Sequence, residues 1–450
     1  MTMEVSLQEI LDAREDRARE QQRLLAEYGV TLVCFTMNIA GPIKVSPLIL
    51  RGFREGVALL EGKIPHDQLM YRQIRELSTG WEAMFAVSLS AEKAKALCVE
   101  LEESHPLGRL FDMDVLDKEG SKLERKIQRC CMVCGAPGRV CASRRLHPVA
   151  QLQAVTQEIL SRYFAQKDRE LVADLAVQSL LDEVNTTPKP GLVDRRNNGS
   201  HRDMTHRHFC DSAKALRPYF AECVQIGAKT ASLPPEETFS LLRQAGIRAE
   251  KAMYEATGGV NTHKGIIYTM GVLCGSIGRF WSPETPIAPR EELLAECSQI
   301  VRSSVQKDFA SAKGQTAGEQ LYLHCGLRGI RGQVADGLPA VAHISLQVYE
   351  KGLSHGLASN DAGAVALLHL IANVEDTNLY NRGGIEGATW AAEAANALLK
   401  KTAYPNVEQI EALDDAFIRH NLSPGGCADL LAVTYFLQKL PESFSPALSH

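Results

Sequence analysis

The first 120 residues switch between a helical period and a strand period of apolar positions. Residues 6–28 are rich in Leu, Ala, Glu, Arg and Gln, which are good helix formers, and Gly29 follows as a stop. Thr31 to Ile39 (TLVCFTMNI) is apolar and β-branched and closes on Gly41-Pro42, which predicts a buried strand. SPLILRGFREGVALLEG then predicts a helix, with Ser46 as its cap and Pro47 in its first turn. WEAMFAVSLS predicts a second strand, AEKAKALCVELEES a helix and GRLFDMDVLD a further strand. DQLMYRQIREL reads either as strand or as helix.

If that stretch is a strand, the order becomes βαββαβ, a ferredoxin-like arrangement. After about residue 165 the strand signal disappears. Val172, Leu175, Ala176 and Leu180 fall on one face of a helix that Pro188 must end. Helical runs follow at 205–231, 236–256, 262–280, 290–306, 338–352, 361–374, 385–401, 406–420 and 426–439. The pattern therefore predicts a multidomain chain, with an α+β domain over 1–160 and an all-α domain over 165–445. Residues 148–170 are themselves helix-like, so no Gly/Ser linker separates the two.

Composition narrows the options. At 450 residues and 45% hydrophobic, the chain can bury more than one core. A net charge of -5 and a pI near 6.3 supply no global basic field, which argues against nonspecific nucleic-acid binding. No run of 18 or more apolar residues predicts a membrane span, and the N-terminus has no apolar signal core. Twelve scattered cysteines read as reduced thiols, so a cytoplasmic enzyme is expected.

Four segments of the helical half combine glycine, asparagine and charge: Thr187 to Met204 (TPKPGLVDRRNNGSHRDM), Ala256 to Gly265 (ATGGVNTHKG), Asp376 to Gly384 (DTNLYNRGG) and Asn421 to Leu431 (NLSPGGCADLL). Glycine permits close backbone approach to a ligand, and Asn, Arg, Lys and His donate to anionic oxygens. Each segment lies between apolar helical runs, so the prediction is convergence on one polyanion, a nucleoside triphosphate. Asn261, Thr262, His263 and Lys264 directly precede a long apolar helix whose first amides favour an anion. Asn261 or Thr262 can equally be an ordinary cap. The segment is not a Walker A loop, because the second glycine and the Ser/Thr after the lysine are missing. Arg195 and Arg196 can fork onto phosphates, while Asp194 and Asp203 can hold Mg²⁺; the bland alternative is a solvated charged loop. Asp376, Asn378 and Arg382 sit at a helix junction, and Ser423, Gly425 and Gly426 open another helix, with Asp429 one turn in. GLRGIRG, with Arg328 and Arg331, adds a weak signal.

These motifs closely resemble the triphosphoribosyl-dephospho-CoA synthase family of citrate lyase maturation, over about residues 170 to 440. Ser200 stands where that family usually has Ala, Cys427 where it has Ser, and Gln333 where Glu is expected. The resemblance implies that the 2′-hydroxyl of 3′-dephospho-CoA attacks C1′ of the ATP ribose, adenine leaves and the triphosphate is retained. Carboxylates stabilise the cationic ribose in such a step while an acid protonates the base. Asp194, Asp203, Glu319 and Asp376 are the carboxylate candidates, and His201 and His263 the proton donors. Lys189, Arg195, Arg196, Lys264 and Arg382 are candidates for the triphosphate and its Mg²⁺ shell, with Asn197, Asn198, Gly258, Gly259, Gly383 and Gly384 beside them.

In the first half, Asp112 and Asp114 lie two apart on a predicted strand, so both carboxylates face one side. That placement suits Mg²⁺-dependent nucleotidyl transfer, although any solvent-facing strand can carry such a pair. NIAGPIKVSP adds Asn38, Gly41 and Lys44 at the end of another predicted strand, and ESHPLGR adds Glu103, His105, Gly108 and Arg109 just before the aspartate pair. Cys131, Cys134, Cys141 and His147 run C-x2-C-x6-C-x5-H, near the spacing of a Cys₃His zinc site, with Cys130 a possible substitute ligand. Reduced cysteines in a turn are the alternative, and a redox C-x-x-C is disfavoured because no strand leads into it.

LDARE, FTMNIAGPIKVSP, LEESHPLGRLFDMDVLD and the CMVCG…CASRRLH stretch resemble holo-citrate lyase synthase, over about residues 5 to 150, with Ala40 and Met113 as mild departures. This resemblance implies attack by a serine of the apo acyl-carrier (gamma) subunit on the α-phosphate of the triphosphoribosyl group, with loss of pyrophosphate. Asp112 and Asp114 as Mg²⁺ ligands and Arg109 and Lys44 on phosphate are the implied roles. Together the two resemblances imply a fused, bifunctional enzyme that makes and installs the citrate lyase prosthetic group. The alternatives are the equivalent enzyme of malonate decarboxylase and a non-catalytic nucleotide-binding carrier-protein adaptor.

Overall fold

A computed structural model describes residues 4–126, 128–315 and 317–444. The chain divides into two units, Met1–Lys167 and Asp168–His450. In the first, helix α1 (Leu7–Tyr28) precedes β1 (Thr31–Met37), α2 (Pro47–Lys63), β2 (Leu69–Leu77), β3 (Gly80–Val87), α3 (Ala91–Ser104) and β4 (Phe111–Leu116). The ambiguous DQLMYRQIREL stretch is thus strand β2 over most of its length. The sheet order is β2-β3-β1-β4, and every neighbouring pair is antiparallel. Ser46 caps α2 and Ser90 caps α3, each accepting from an amide three residues on.

The two faces of this sheet are built differently. On one, Phe35 of β1 stacks on Phe53 of α2 at 5.2 Å and meets Phe111 edge-on at 5.4 Å. Gly56 allows that approach, since a Cβ there would lie 2.3 Å from the Phe35 ring. The other face carries Leu32, Cys34, Met84 and Ala86 under Leu24 of α1. In register with β1, Asp114 pairs with Cys34 and Asp112 with Thr36. Both carboxylates therefore lie on the α1 face of the sheet. After β4 come a short helix α4 (Gly138–Ser143) and the long α5 (Val149–Asn185), whose length includes the division between the units.

Among its described residues the second unit is helical: α6 (His206–Ala215), α7 (Arg217–Lys229), α8 (Pro235–Ala256), α9 (Lys264–Phe280), α10 (Arg290–Ala310), α11 (Ala317–Cys325), α12 (Gly329–Ala335), α13 (Leu346–Ser354), α14 (Ser359–Asn373), α15 (Thr377–Lys401), α16 (Val407–Arg419) and α17 (Gly425–Phe444). A π turn, Val341–Ser345, leads into α13. Helix α9 runs through the core with its middle entirely buried. Its backbone touches that of α7: a Cβ on Gly227 would lie 2.0 Å from the Gly275 carbonyl, and one on Gly278 2.0 Å from that of Val224.

The helix expected over 205–231 is two helices, because Pro218 cannot donate to the preceding turn and the chain breaks at Leu216. The run expected to start at 385 starts at Thr377, with Gly384 at φ 63° and ψ -163° kinking it. Helices α11 and α12 had no counterpart in the apolar pattern. No described helix is long and apolar enough to cross a membrane.

Candidate active sites

The four unusual segments of the helical unit meet around one cleft of about 410 Å³. Lys189 and His201 come from the first segment, Asn261, Thr262, His263 and Lys264 from the second, Asp376, Asn378 and Arg382 from the third, and Ser423, Gly425, Gly426 and Asp429 from the fourth. Gly329, Ile330 and Gln333 of α12 add a fifth wall. Helices α9, α15 and α17 all begin at this lining, which brings partial positive charge to it. No side chain caps α9. One carboxylate serves the other two: Asp376 accepts from the Asn378 amide at 2.7 Å and from the Cys427 amide at 2.8 Å. Gly425 leaves space for the Asn378 side chain, whose Nδ2 would lie 2.7 Å from a Cβ at that position.

The first segment spends much of its polarity on its own folding. Asp194 is buried and accepts from the amides of Lys189, Arg196 and Asn197. Arg196 forks onto Asp414 at 2.7 Å and Asp415 at 3.0 Å of α16, with Glu411 at 3.3 Å, and Asn197 also donates to Asp414. Arg195 donates to Asn185. Lys189 is 1% exposed and ion-paired with Glu183. Arg382 joins three segments, donating to the Ser200 carbonyl at 2.8 Å and to the Asn421 side chain at 3.2 Å, with His201 Nδ1 at 3.1 Å. Its partners are neutral, so its charge is not cancelled. Lys264 is half-exposed and 3.1 Å from Glu250.

Asp194, Arg195, Arg196, Asn197, Asn198, Asp203, Gly258, Gly259, Gly383, Gly384 and Glu319 do not line the cleft. Gly258 and Gly259 turn the chain after α8 with φ of 66° and 95°. Glu319 accepts from the backbone of Lys313 and Gln315 beside its own helix. Asp203 is exposed, near enough to His201 and Arg382 to act on their charge.

Both cleft histidines are held neutral. Burial, then the Arg382 charge, lowers His201 to about 4, and its Nε2 lies 2.8 Å from the Ser423 hydroxyl. Burial, then Lys189, lowers His263 to about 3. His263 Nδ1 pairs with Ser212 at 2.7 Å, while its buried Nε2 and the Thr262 hydroxyl have no hydrogen-bond partner among the described residues. Buried polar atoms left unpaired beside a cleft are what a polar ligand would satisfy.

The first unit holds a larger cleft, about 810 Å³, containing Asp112, Asp114, Arg109 and Asn38. Asp112 keeps open surface toward the cleft, but protein encloses its other sides; that burial, then Asp114 beside it, raises its pKa. Asp114 is ion-paired with Lys122 at 2.5 Å. Lys44 lies outside this lining, its ammonium donating to the Ile39 carbonyl. Arg129 clamps the start of β4 by donating to the carbonyls of Phe111 at 2.7 Å and Gly108 at 2.6 Å. Buried Glu102 accepts from the Met113 amide between the two aspartates.

Beside this cleft the four ligand atoms of Cys131, Cys134, Cys141 and His147 lie within 4.8 Å of one another. Sulfurs in a tetrahedral zinc site stand ~3.8 Å apart, so the donor set fits zinc with little movement. Cys134 and Cys141 are 3.4 Å apart and His147 Nε2 is 3.3 Å from Cys134, while His147 Nδ1 faces Gln151 at 3.3 Å. Cys130 is exposed and outside the cluster.

Residues 169–446 match the family model of ATP:dephospho-CoA triphosphoribosyl transferase, and residues 5–163 that of apo-citrate lyase phosphoribosyl-dephospho-CoA transferase. Protein CitXG of Haemophilus influenzae is 35% identical over 454 residues, covering 96% of both chains. This chain belongs to the CitXG family. Protein CitXG of Leuconostoc mesenteroides subsp. cremoris is 32% identical over 469 residues and 98% of both chains. A probable 2-(5''-triphosphoribosyl)-3'-dephosphocoenzyme-A synthase of Vibrio cholerae is 41% identical over 279 residues, 61% of this chain and 89% of its own.

In this CitXG-family chain, several cleft residues carry no motif of their own. Glu183 belongs to an ordinary amphipathic helix, and Lys95, Glu102, Lys122, Arg125 and Arg129 line the first cleft from unremarked helix and loop positions. The basic run SKLERKIQR after β4 was the available signal for the last three.

Proposed function

We propose that the two clefts carry out successive transfers. In the helical unit, ATP and 3′-dephospho-CoA give 2′-(5″-triphosphoribosyl)-3′-dephospho-CoA and adenine. The first unit then transfers the product to a serine of the apo citrate lyase acyl-carrier (gamma) subunit, releasing pyrophosphate. The observation that carries this reading is the meeting of all four glycine- and asparagine-rich segments, with three helix starts, on one cleft of a chain in this family.

The helical cleft suits a triphosphate through the uncapped amides of α9, the start of α17, Arg382 and Lys264. His201, His263, Asn261, Thr262 and Asn378 supply neutral polar groups for ribose and base. Buried Asp376 orders the starts of α15 and α17, so its role is to position rather than to react. Asp194, Arg195, Arg196, Asn197, Asn198, Gly258, Gly259, Gly383 and Gly384 hold the surrounding loops, while Glu319 and Asp203 stand outside. In the first cleft Asp112 and Asp114 would hold Mg²⁺, which when bound neutralises charge on the phosphates. Arg109 faces the same cleft, and Lys44 fixes the loop after β1. The cysteine cluster would hold a structural zinc through Cys131, Cys134, Cys141 and His147.

The sheet order supports a ferredoxin-like core within a transferase domain over 1–160, followed by a synthase domain over 165–445, acting in the cytoplasm. Metal analysis of the purified chain is expected to give about one zinc, lost in Cys134→Ser. The function is tested by incubation with Mg-ATP and dephospho-CoA: chromatography should show free adenine. Absence of adenine with both substrates bound would refute the reading.

A further inference from the structure

Four carboxyl-bearing residues line the helical cleft: Glu375, which is exposed, and Glu183, Asp376 and Asp429, which lie deeper. Two of the deeper three are committed. Glu183 pairs with Lys189, and Asp376 accepts from two helix amides. Asp429, in the first turns of α17, makes no hydrogen bond or ion pair among the described residues. Its carboxyl has room because residue 265 is glycine: a Cβ there would lie 1.9 Å from Asp429 Oδ2. In the same lining is His263, whose buried Nε2 has no partner among the described residues. An uncommitted carboxyl and an uncommitted imidazole nitrogen are left facing the space that a substrate would fill.

We propose that Asp429 is the acid that protonates the departing adenine, a role resting on the synthase reading above. The surroundings keep the proton on it. Burial, then the charges of Glu183 and Asp376, raise its pKa well above the usual carboxylate range. Some of its surface opens to the cleft, but protein surrounds the remainder, so desolvation governs. The cations around the cleft do not offset this. Lys189 is spent on Glu183, Lys264 faces Glu250, Arg382 keeps its charge but forms no ion pair with Asp429, and His201 and His263 are neutral.

The step balances. As the C1′–N9 bond breaks, its electron pair goes to adenine, and the Asp429 proton goes to a ring nitrogen of the base. The 2′-oxygen of dephospho-CoA bonds to C1′, and the proton it sheds restores Asp429. The acid thus returns to its starting state each turnover.

The test uses the full chain and two nucleotides. Nicotinamide riboside triphosphate loses a neutral base without protonation, so it needs no acid. Asp429→Asn should cut adenine release from ATP about 10³-fold while its rate with the nicotinamide nucleotide stays within about tenfold of wild type. Gly265→Ala, which crowds the carboxyl, should show the same selectivity with a smaller loss. Wild-type kcat/KM for ATP should fall on the alkaline side, as Asp429 loses its proton, and Asp429→Asn should lack that limb. Equal loss with both nucleotides, unchanged adenine release, or weakened Mg-ATP binding in Asp429→Asn would overturn the assignment. Wild type that releases no adenine would instead refute the synthase reading.

Discussion

The two clefts place carboxylates by different means. In the first unit, Asp112 and Asp114 occupy alternate positions of one strand, and strand geometry alone puts both on the α1 face. In the helical unit, Glu183, Asp376 and Asp429 come from three helices or their caps, separated by some 190 to 250 residues of chain from first to second and third. There, tertiary packing brings them together, and most nearby polar groups are used to hold the loops. A charged motif on a strand is thus close to being a site, whereas a charged motif at a helix end divides into groups that build the site and groups that act in it.

The largest expected effect sharpens that contrast. Asp112→Ala should reduce transfer to the apo carrier about 10³-fold, read as pyrophosphate release, while adenine release is unchanged. Loss of both activities would mean that the two clefts do not act independently. Next comes Asp376→Ala, which strips the cap from both α15 and α17. It should destabilise the chain by about 3 kcal/mol in denaturant unfolding, whereas a merely reactive carboxylate would leave stability intact.

Acid provides a third test. His201 and His263 have folded pKa values of about 4 and about 3 against an ordinary 6.5. Depressed values contribute stability that is full above pH 6.5 and lost as pH falls toward those values. Between pH 7 and 5, protonation should cost about 2 kcal/mol through His263 alone, and His263→Gln should flatten the profile. The smallest effect is expected of Arg196→Ala. Its partners are Asp414, Asp415 and Glu411, so stability should drop by about 1 kcal/mol with KM for ATP unchanged. A raised KM would return Arg196 to the triphosphate.

What could be read from the chain follows the same division. Alternation announced Asp112 and Asp114, and close spacing gathered Cys131, Cys134, Cys141 and His147. Strand β2 was ambiguous because none of its residues is fully buried and Met70 and Glu76 are exposed, so it has no clean apolar face. The cleft's segments were legible as glycine- and asparagine-rich runs, but their internal bonding was not. Nothing local in KPGLVDRRNNGS says that Asp194 caps its own loop or that Arg196 reaches α16 more than 200 residues later. Asp429 drew little notice for the opposite reason: its neighbours Gly265, Glu183 and Asp376 are distant in sequence.

The central claim is that one chain both builds the prosthetic group and attaches it. Mass spectrometry of the apo acyl-carrier subunit tests this directly, after incubation with the chain, Mg-ATP and dephospho-CoA. The account predicts a carrier heavier by a phosphoribosyl-dephospho-CoA group on one serine, with adenine and pyrophosphate released in equal amounts. An unmodified carrier in the presence of both substrates would contradict it.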